Sequence, residues 1–480
     1  MKEILDYVYW SSPVANFNVS NIVSPYSFGG IYKWNTTVTN SNGGQGNYQS
    51  AAGNTMITGK GYIARTPGTA PFNNSTTNVL NGTFTGVPNN GDITIPIERG
   101  PDQNAAPHVG TNGAQITNLS DNWNLLGNPY PSSIRGSQFL FDNNTKIEGN
   151  IRLWTHGTLP SIIAPSPFYG SFLSNYTPGD YLTYNFTGTS CCPAATSDLF
   201  IGAGQGFFVQ MVDGNAVSSA DNITVAFNNN LRSASYSNNT FYKSQNPTTS
   251  NSIIDVNNIE RKRIWLDLIN PNNQTDRILF GYIENATMGR DSFYDCITQN
   301  TGASLIYSLV DNTKFSIQGR ALPFEVNDEV PIGFNAPTQG NYTIGIAAVD
   351  GLFNSQNIYL KDNLLNITHD IKANPYTFTT QTGEVNDRFK IVYIDSALGN
   401  PDYSLENNIK VIVNNEVAVS SSNLIMESIV VYNVLGQKLA TYKGINTSYF
   451  TLSNLRKNNT TLLLKIKLQT VETVIKKIIY

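Results

Sequence analysis

Three histidines, His108, His156 and His369, are the side chains best suited to acid–base work at neutral pH, and each stands more than forty residues from the next. None has a partner at metal-ligand spacing. Each reads as a loop or surface residue. Trp154-Thr-His156-Gly is the most suggestive context, because an aromatic beside an imidazole can line a pocket, yet a strand end packing its tryptophan gives the same letters. Gly202-Ala-Gly204-Gln-Gly206 looks superficially like a phosphate cradle, but it lacks the Gly-Lys-Ser/Thr ending and precedes a β-type run, so it reads as a turn. The adjacent pair Cys191-Cys192 is either a strained vicinal bridge or two reduced thiols, and Cys296 is remote. No metal or organic cofactor is implied. The exception is a structural calcium, which could be assembled from separate turns carrying Asp121, Asp291, Asp295, Asp328 or Asp387.

The five tryptophans are Trp10, Trp34, Trp123, Trp154 and Trp265. An Asn-, Thr- and Tyr-rich β protein can bind sugars by stacking exposed aromatics on ring faces, with amides supplying hydrogen bonds. Trp34 and Trp154 are the candidate glycan-stacking residues, although a tryptophan inside an apolar run is more often core.

The elements that would position these groups are strands. Charged residues make up 13% of the 480, about half the usual share, while 25 Tyr, 23 Phe, 38 Gly and 22 Pro favour short strands joined by turns. About one residue in eight is Asn. No segment carries a sustained 3.6-residue apolar period, no repeat of 20 to 50 residues stands out, and no apolar stretch approaches the roughly 20 residues of a spanning helix. A net charge of −4 without a long basic run makes nucleic acid an improbable partner. The expected fold class is all-β, with tandem sandwich or jelly-roll-like modules followed by a small Ig-like sandwich.

Three units emerge. Residues 1–232 are a succession of short runs such as Tyr7-Val-Tyr-Trp10, Trp123-Asn-Leu-Leu126 and Phe207-Phe-Val-Gln-Met211. A Ser/Asn-rich linker at 233–257 leads to an antiparallel module at 258–395, which opens on the alternating Arg263-Ile-Trp-Leu-Asp-Leu268. A second linker, 396–408, precedes residues 409–480. Residues 401–480 carry nine Lys/Arg against five Asp/Glu, whereas the rest of the chain is acidic, so the tail is a distinct unit. Its closing letters, Lys465-Ile-Lys-Leu468 and then Val471 to Ile479, predict a terminal hairpin.

Those last seventy to eighty residues resemble the C-terminal sorting domain of type IX secretion substrates of the Bacteroidetes, notably gliding flavobacteria. The resemblance rests on Ile429-Val-Val-Tyr432-Asn433-Val-Leu435-Gly436-Gln437-Lys-Leu439, on Leu464 and Lys465 within Leu462-Leu-Leu-Lys-Ile466, and on Lys476, Lys477 and Tyr480 of the terminal run. It implies export to the cell surface or medium through an outer-membrane shuttle barrel and the translocon. Upstream, Tyr9-Trp-Ser-Ser-Pro-Val14, Trp123-Asn-Leu-Leu-Gly-Asn-Pro-Tyr-Pro-Ser132 and Phe315-Ser-Ile-Gln-Gly-Arg-Ala-Leu-Pro-Phe324 look similar to an uncharacterised region of surface proteins carrying that domain. Asp395-Ser396-Ala397 has the short form of the O-glycosylation acceptor used in that phylum, which makes Ser396 a candidate modification site. Such substrates first cross the inner membrane on a signal peptide. No apolar leader opens this sequence, so a mature form or a piece of a longer product is expected.

The leading expectation is therefore a secreted or cell-surface protein without enzymatic activity. One alternative is a carbohydrate-binding or adhesin module, with glycans as partners. Another is the noncatalytic tail of a larger secreted hydrolase, which would bring two carboxylates together at glycosidase separation.

Overall fold

The computed structural model describes residues 7–24, 26–40, 44–67, 81–100, 108–110, 115–116, 121–154, 181–190, 198–212, 223–236, 238, 260–298, 305–395, 409–414, 416–421, 424–469 and 473–480. The fold is all-β. Among the described residues the sole α-helix is the seven-residue Gly136–Asp142. The chain divides into two compact units, Met1–Tyr393 and Ile394–Tyr480.

In the first unit, two four-stranded antiparallel sheets share an aromatic core. One has the order Tyr7–Trp10, Tyr62–Arg65, Gly30–Thr39, Gln45–Ser50, and the other Tyr181–Tyr184, Ile151–Trp154, Gly206–Gln210, Trp123–Gly127. Pleating sends alternate side chains to opposite faces. In Gly206–Gln210, Phe208 joins Tyr9, Trp34, Trp123 and Trp154 on one side, while Phe207 and Val209 join Phe139 of the helix on the other. Both faces are dry, which explains a strand reading as a continuous apolar run.

Residues 260–393 build an eleven-stranded sheet running from Ile367–Asp370 at one end to Tyr376–Thr380 at the other. The sheet curls over, because Phe378 of the last strand lies 4.7 Å ring to ring from Phe389, which belongs to Gly383–Val392 near the opposite end. A purely antiparallel module was expected here, but Thr275–Ile283 pairs in parallel with Thr313–Ala321. Parallel neighbours need a long connection. The intervening residues provide one and carry two further strands, Cys296–Ile297 and Leu305–Val310. Asp311 and Asn312, both with positive φ, make the two-residue turn from Leu305–Val310 into Thr313–Ala321.

The separation expected at 233–257 does not divide the packing. Residues either side of it are joined by Trp265 Nε1 donating to Thr189 O at 2.8 Å, Arg263 Nη1 to Thr187 O at 3.1 Å and Phe186 N to Phe293 O at 3.0 Å. A Cβ on Gly149 would stand 2.1 Å from Ser292 O, so only glycine permits that approach. The tandem modules are thus one unit. Nearly all of the expected linker at 233–257, and all of 396–408, lie outside the described residues.

The second unit is the small sandwich anticipated for 409–480. A three-stranded sheet, Ile409–Val413, Val417–Ser421, Tyr449–Leu452, packs on a four-stranded sheet of order Lys438–Thr447, Met426–Asn433, Thr461–Leu468, Thr473–Ile479. The terminal hairpin forms, with Lys465 opposite Ile475. Its driving pattern is plain: Leu462, Leu464, Ile466 and Leu468 are buried, each contributing about 1.5–3 kcal/mol, while Leu463, Lys465 and Lys467 face outward.

Candidate functional site

The turn joining Met426–Asn433 to Lys438–Thr447 gathers four of the ten residues that carry the sorting resemblance, Asn433, Leu435, Gly436 and Gln437. Asn433 Oδ1 accepts N–H bonds from Leu435 at 3.1 Å and Gln437 at 2.9 Å, and Asn433 Nδ2 donates to Gln437 Oε1 at 3.2 Å. The backbone closes with Asn433 N to Gln437 O and Gly436 N to Asn433 O, both 3.0 Å. Gly436 has φ +80°, where a side chain is strained. Asn433, Gly436 and Gln437 are therefore fixed by turn chemistry. Leu435 is not: it is 89% exposed, beside Val434 at 64%. Folding gives no reason for an apolar pair at this tip.

The remaining residues of the resemblance divide by face. Leu464 is core and Tyr480 is buried, its backbone exchanging hydrogen bonds with Thr460 and its ring facing Lys457 Nζ at 5.8 Å. Tyr432 is half-buried on the same strand as Asn433. Lys465 and Lys477 project from the outer face of the four-stranded sheet, and Lys476 lies half-buried between them and the core side.

Trp34 and Trp154, the candidate sugar platforms, are each 2% exposed, which removes them as stacking surfaces. Trp34 Nε1 donates to Trp123 O at 2.8 Å, and a Cβ on Gly46 would strike the Trp34 ring at 2.1 Å. Trp154 stacks on Tyr9 at 6.0 Å. The hydroxyl of Tyr9 bonds Tyr48 at 3.0 Å and Tyr181 at 2.6 Å, and burial raises the Tyr48 phenol well above its ordinary range. Arg152 lies over the Trp123 ring at 4.4 Å, and a narrow crevice is lined by Trp123, Arg152, Tyr181 and Phe208. This is interior packing because the rings lie between two sheets, a placement that alternation within either run does not reveal.

A family model spans residues 2–393, across both sheet systems of the first unit. The chain belongs to that family, described as a domain of unknown function (DUF8693). A second model, described as a domain of unknown function (DUF8694), matches residues 398–480. No curated protein matches the chain. The DUF8693 match ends at the boundary between the two compact units, so the region is one structural and one sequence unit.

Within the DUF8693 region the other candidate chemistry disperses. His108 is exposed, and His369 is held by Asn374 O at 2.7 Å. His156, Cys191 and Cys192 lie outside the described residues, as does Ser396 beyond the end of that region; Cys296 is a buried free thiol. Gly202–Gly206 is a turn, with Gly204 at φ +71° and its carbonyl accepting from Ser11 N at 2.7 Å. Among the described residues no three His, Cys, Asp or Glu side chains meet to hold a metal ion.

The aspartates considered for calcium have other roles. Asp121 pairs with Arg99 at 3.0 Å, and Asp328 binds Arg320 at 2.7 Å and the Tyr282 hydroxyl at 2.6 Å. Asp291 and Asp295 cap one turn, and Asp387 is exposed. The sequence also gave no warning of the buried pair Arg388–Asp362 at 2.8 Å, with Tyr376 OH donating to the same carboxylate at 2.9 Å. Burial alone would raise the Asp362 carboxyl, but the guanidinium and phenol hold it below its ordinary value. Among the described residues no helix is long and apolar enough to cross a membrane.

Proposed function

We propose that this is a secreted or cell-surface protein without catalytic activity of its own, exported by type IX secretion through residues 409–480. The observation carrying the reading is the Asn433–Gln437 turn. Three of its five residues are explained by hydrogen bonding or backbone conformation, while the side chains of Val434 and Leu435 are exposed and support nothing in the turn. Apolar side chains left in water at a turn tip are available to a partner. The turn belongs to a compact sandwich that forms its own core, as an address read after folding requires. The outer-membrane shuttle barrel and the translocon are the proposed readers, and the DUF8693 region is the cargo.

The test is export from a bacterium that has type IX secretion. Deleting residues 409–480 should retain the protein inside the cell, and Leu435→Asn should reduce export while the purified variant melts at the wild-type temperature. Unchanged export of the deletion would overturn the reading.

A further inference from the structure

Within the C-terminal unit, the strand Thr473–Ile479 ends its sheet, and among the described residues no strand pairs with its outer edge. The direction of its backbone groups follows from one pair. Thr460 N donates to Tyr480 O at 3.0 Å and Tyr480 N to Thr460 O at 3.1 Å, so Thr460 and Tyr480 are a hydrogen-bonded pair. In an antiparallel ladder such pairs alternate with non-bonded ones. With Thr461 opposite Ile479 in register, the N–H and C=O groups of Ile475, Lys477 and Ile479 point away from the sheet, toward the open edge. The side chains of these same residues lie on the outer face, Ile475 55% and Ile479 66% exposed.

We infer that this edge accepts an acidic extended peptide segment as an added strand, with apolar, acidic and apolar residues placed opposite Ile475, Lys477 and Ile479. Charge complementarity selects the occupant. Residues 409–480 carry nine Lys/Arg against three Asp/Glu, and Glu427, on Met426–Asn433 two strands in from the edge, is already paired with Lys467 at 2.8 Å. Lys465, opposite Ile475, stands diagonal to Lys477 on the same face and adds to the positive potential there. The same lysines count against self-pairing centred on Lys477, which would match Ile475 with Ile479 but set Lys477 against Lys477, and like charges directly opposed destabilise a ladder. Main-chain bonds would supply affinity and the alternating side chains specificity. This inference stands apart from the export reading. Export is measured in cells and peptide binding in vitro, so either can fail while the other holds.

The probe is a fluorescein-labelled, capped heptapeptide, Thr-Val-Thr-Glu-Thr-Val-Thr, titrated with the full chain and followed by anisotropy, alongside a counterpart with Lys in place of Glu. The Glu peptide should bind at least tenfold more tightly than the Lys peptide. Lys477→Glu should invert that preference. Lys477→Pro should abolish binding of both peptides, since it removes a donor aimed at the open edge and none from the existing ladder. Melting temperatures of both variants confirm folding. Absence of binding by the wild-type chain, equal affinity for the two peptides, or binding untouched by Lys477→Pro would overturn the inference. So would concentration-dependent dimerisation blocked by Lys477→Glu, or competition of the peptide by anionic phospholipid vesicles but not by excess unlabelled peptide.

Discussion

The side-chain oxygen of Asn433 accepts the amide N–H of Gln437 at 2.9 Å, closing a turn whose tip holds Leu435 in solvent. Folding thereby accounts for Asn433, Gly436 and Gln437 and leaves the Leu435 side chain without a part in the turn. Asn433→Ala removes two accepted bonds and should cost about 1 kcal/mol in the C-terminal unit. Gly436→Val, at φ +80°, should cost on the order of 1–3 kcal/mol. Leu435→Asn should change stability by less than about 0.5 kcal/mol. Denaturant unfolding of the three variants measures this ordering; a strongly destabilised Leu435→Asn would mean that the leucine is structural.

Trp34→Ala and Trp154→Ala should each destabilise the first unit by about 3–5 kcal/mol, because each empties a cavity between two sheets. Thermal melting checks this. Either alanine variant melting like wild type would contradict the packing and reopen these rings as glycan platforms.

The first unit should unfold as one cooperative block. Trp265→Phe loses the hydrogen bond to Thr189 O, at a cost of about 0.5–1.5 kcal/mol. Calorimetry of the variant should show the transition of residues 1–393 shifted as a whole. Separate movement of a 260–393 transition would instead indicate two independently folding modules.

Asp295 should make the protein less stable as pH rises from about 4 to about 7. Its carboxyl is pushed up to about 7 by burial; the Asp291 and Gly319 N–H bonds oppose that shift, the Asp291 charge reinforces it and Arg290 partly offsets it. The folded state therefore holds a proton that the unfolded chain, with an ordinary carboxyl near 4, releases. Stability from this group is fully present below the unfolded value and is lost as pH passes through the folded one, with a slope of up to about 1.4 kcal/mol per pH unit. Asp295→Asn lowers absolute stability, since an amide cannot accept both N–H bonds, but it should lessen the slope, leaving the part due to Asp276, whose carboxyl burial also pushes up to about 7. An unchanged slope between pH 4 and 7 would assign it to another group.

Local pattern made the strands readable. The alternation of Leu462 to Leu468 needs only a sheet with a wet side, and that run became Thr461–Leu468; Arg263-Ile-Trp-Leu-Asp-Leu268 also formed a strand, Arg261–Ile269, although Trp265 on its other face is covered as well. The terminal hairpin was legible for the same reason, and the Asn433–Gln437 turn could have been found from its Asn and Gly alone. The resemblance to a sorting domain rests on letters, however, without sight of which of them the fold already explains.

What the sequence by itself determined is the all-β class, the charge of the tail and its terminal hairpin, since each depends on residues near one another in the chain. Only the tertiary structure decided that Trp34 and Trp154 are core, that Thr275–Ile283 runs parallel to Thr313–Ala321, and that residues 1–393 form one body. Those facts depend on which surface a distant segment covers. A tryptophan in a strand has the same letters whether a second sheet or water lies over it, and burial free energy follows the covering.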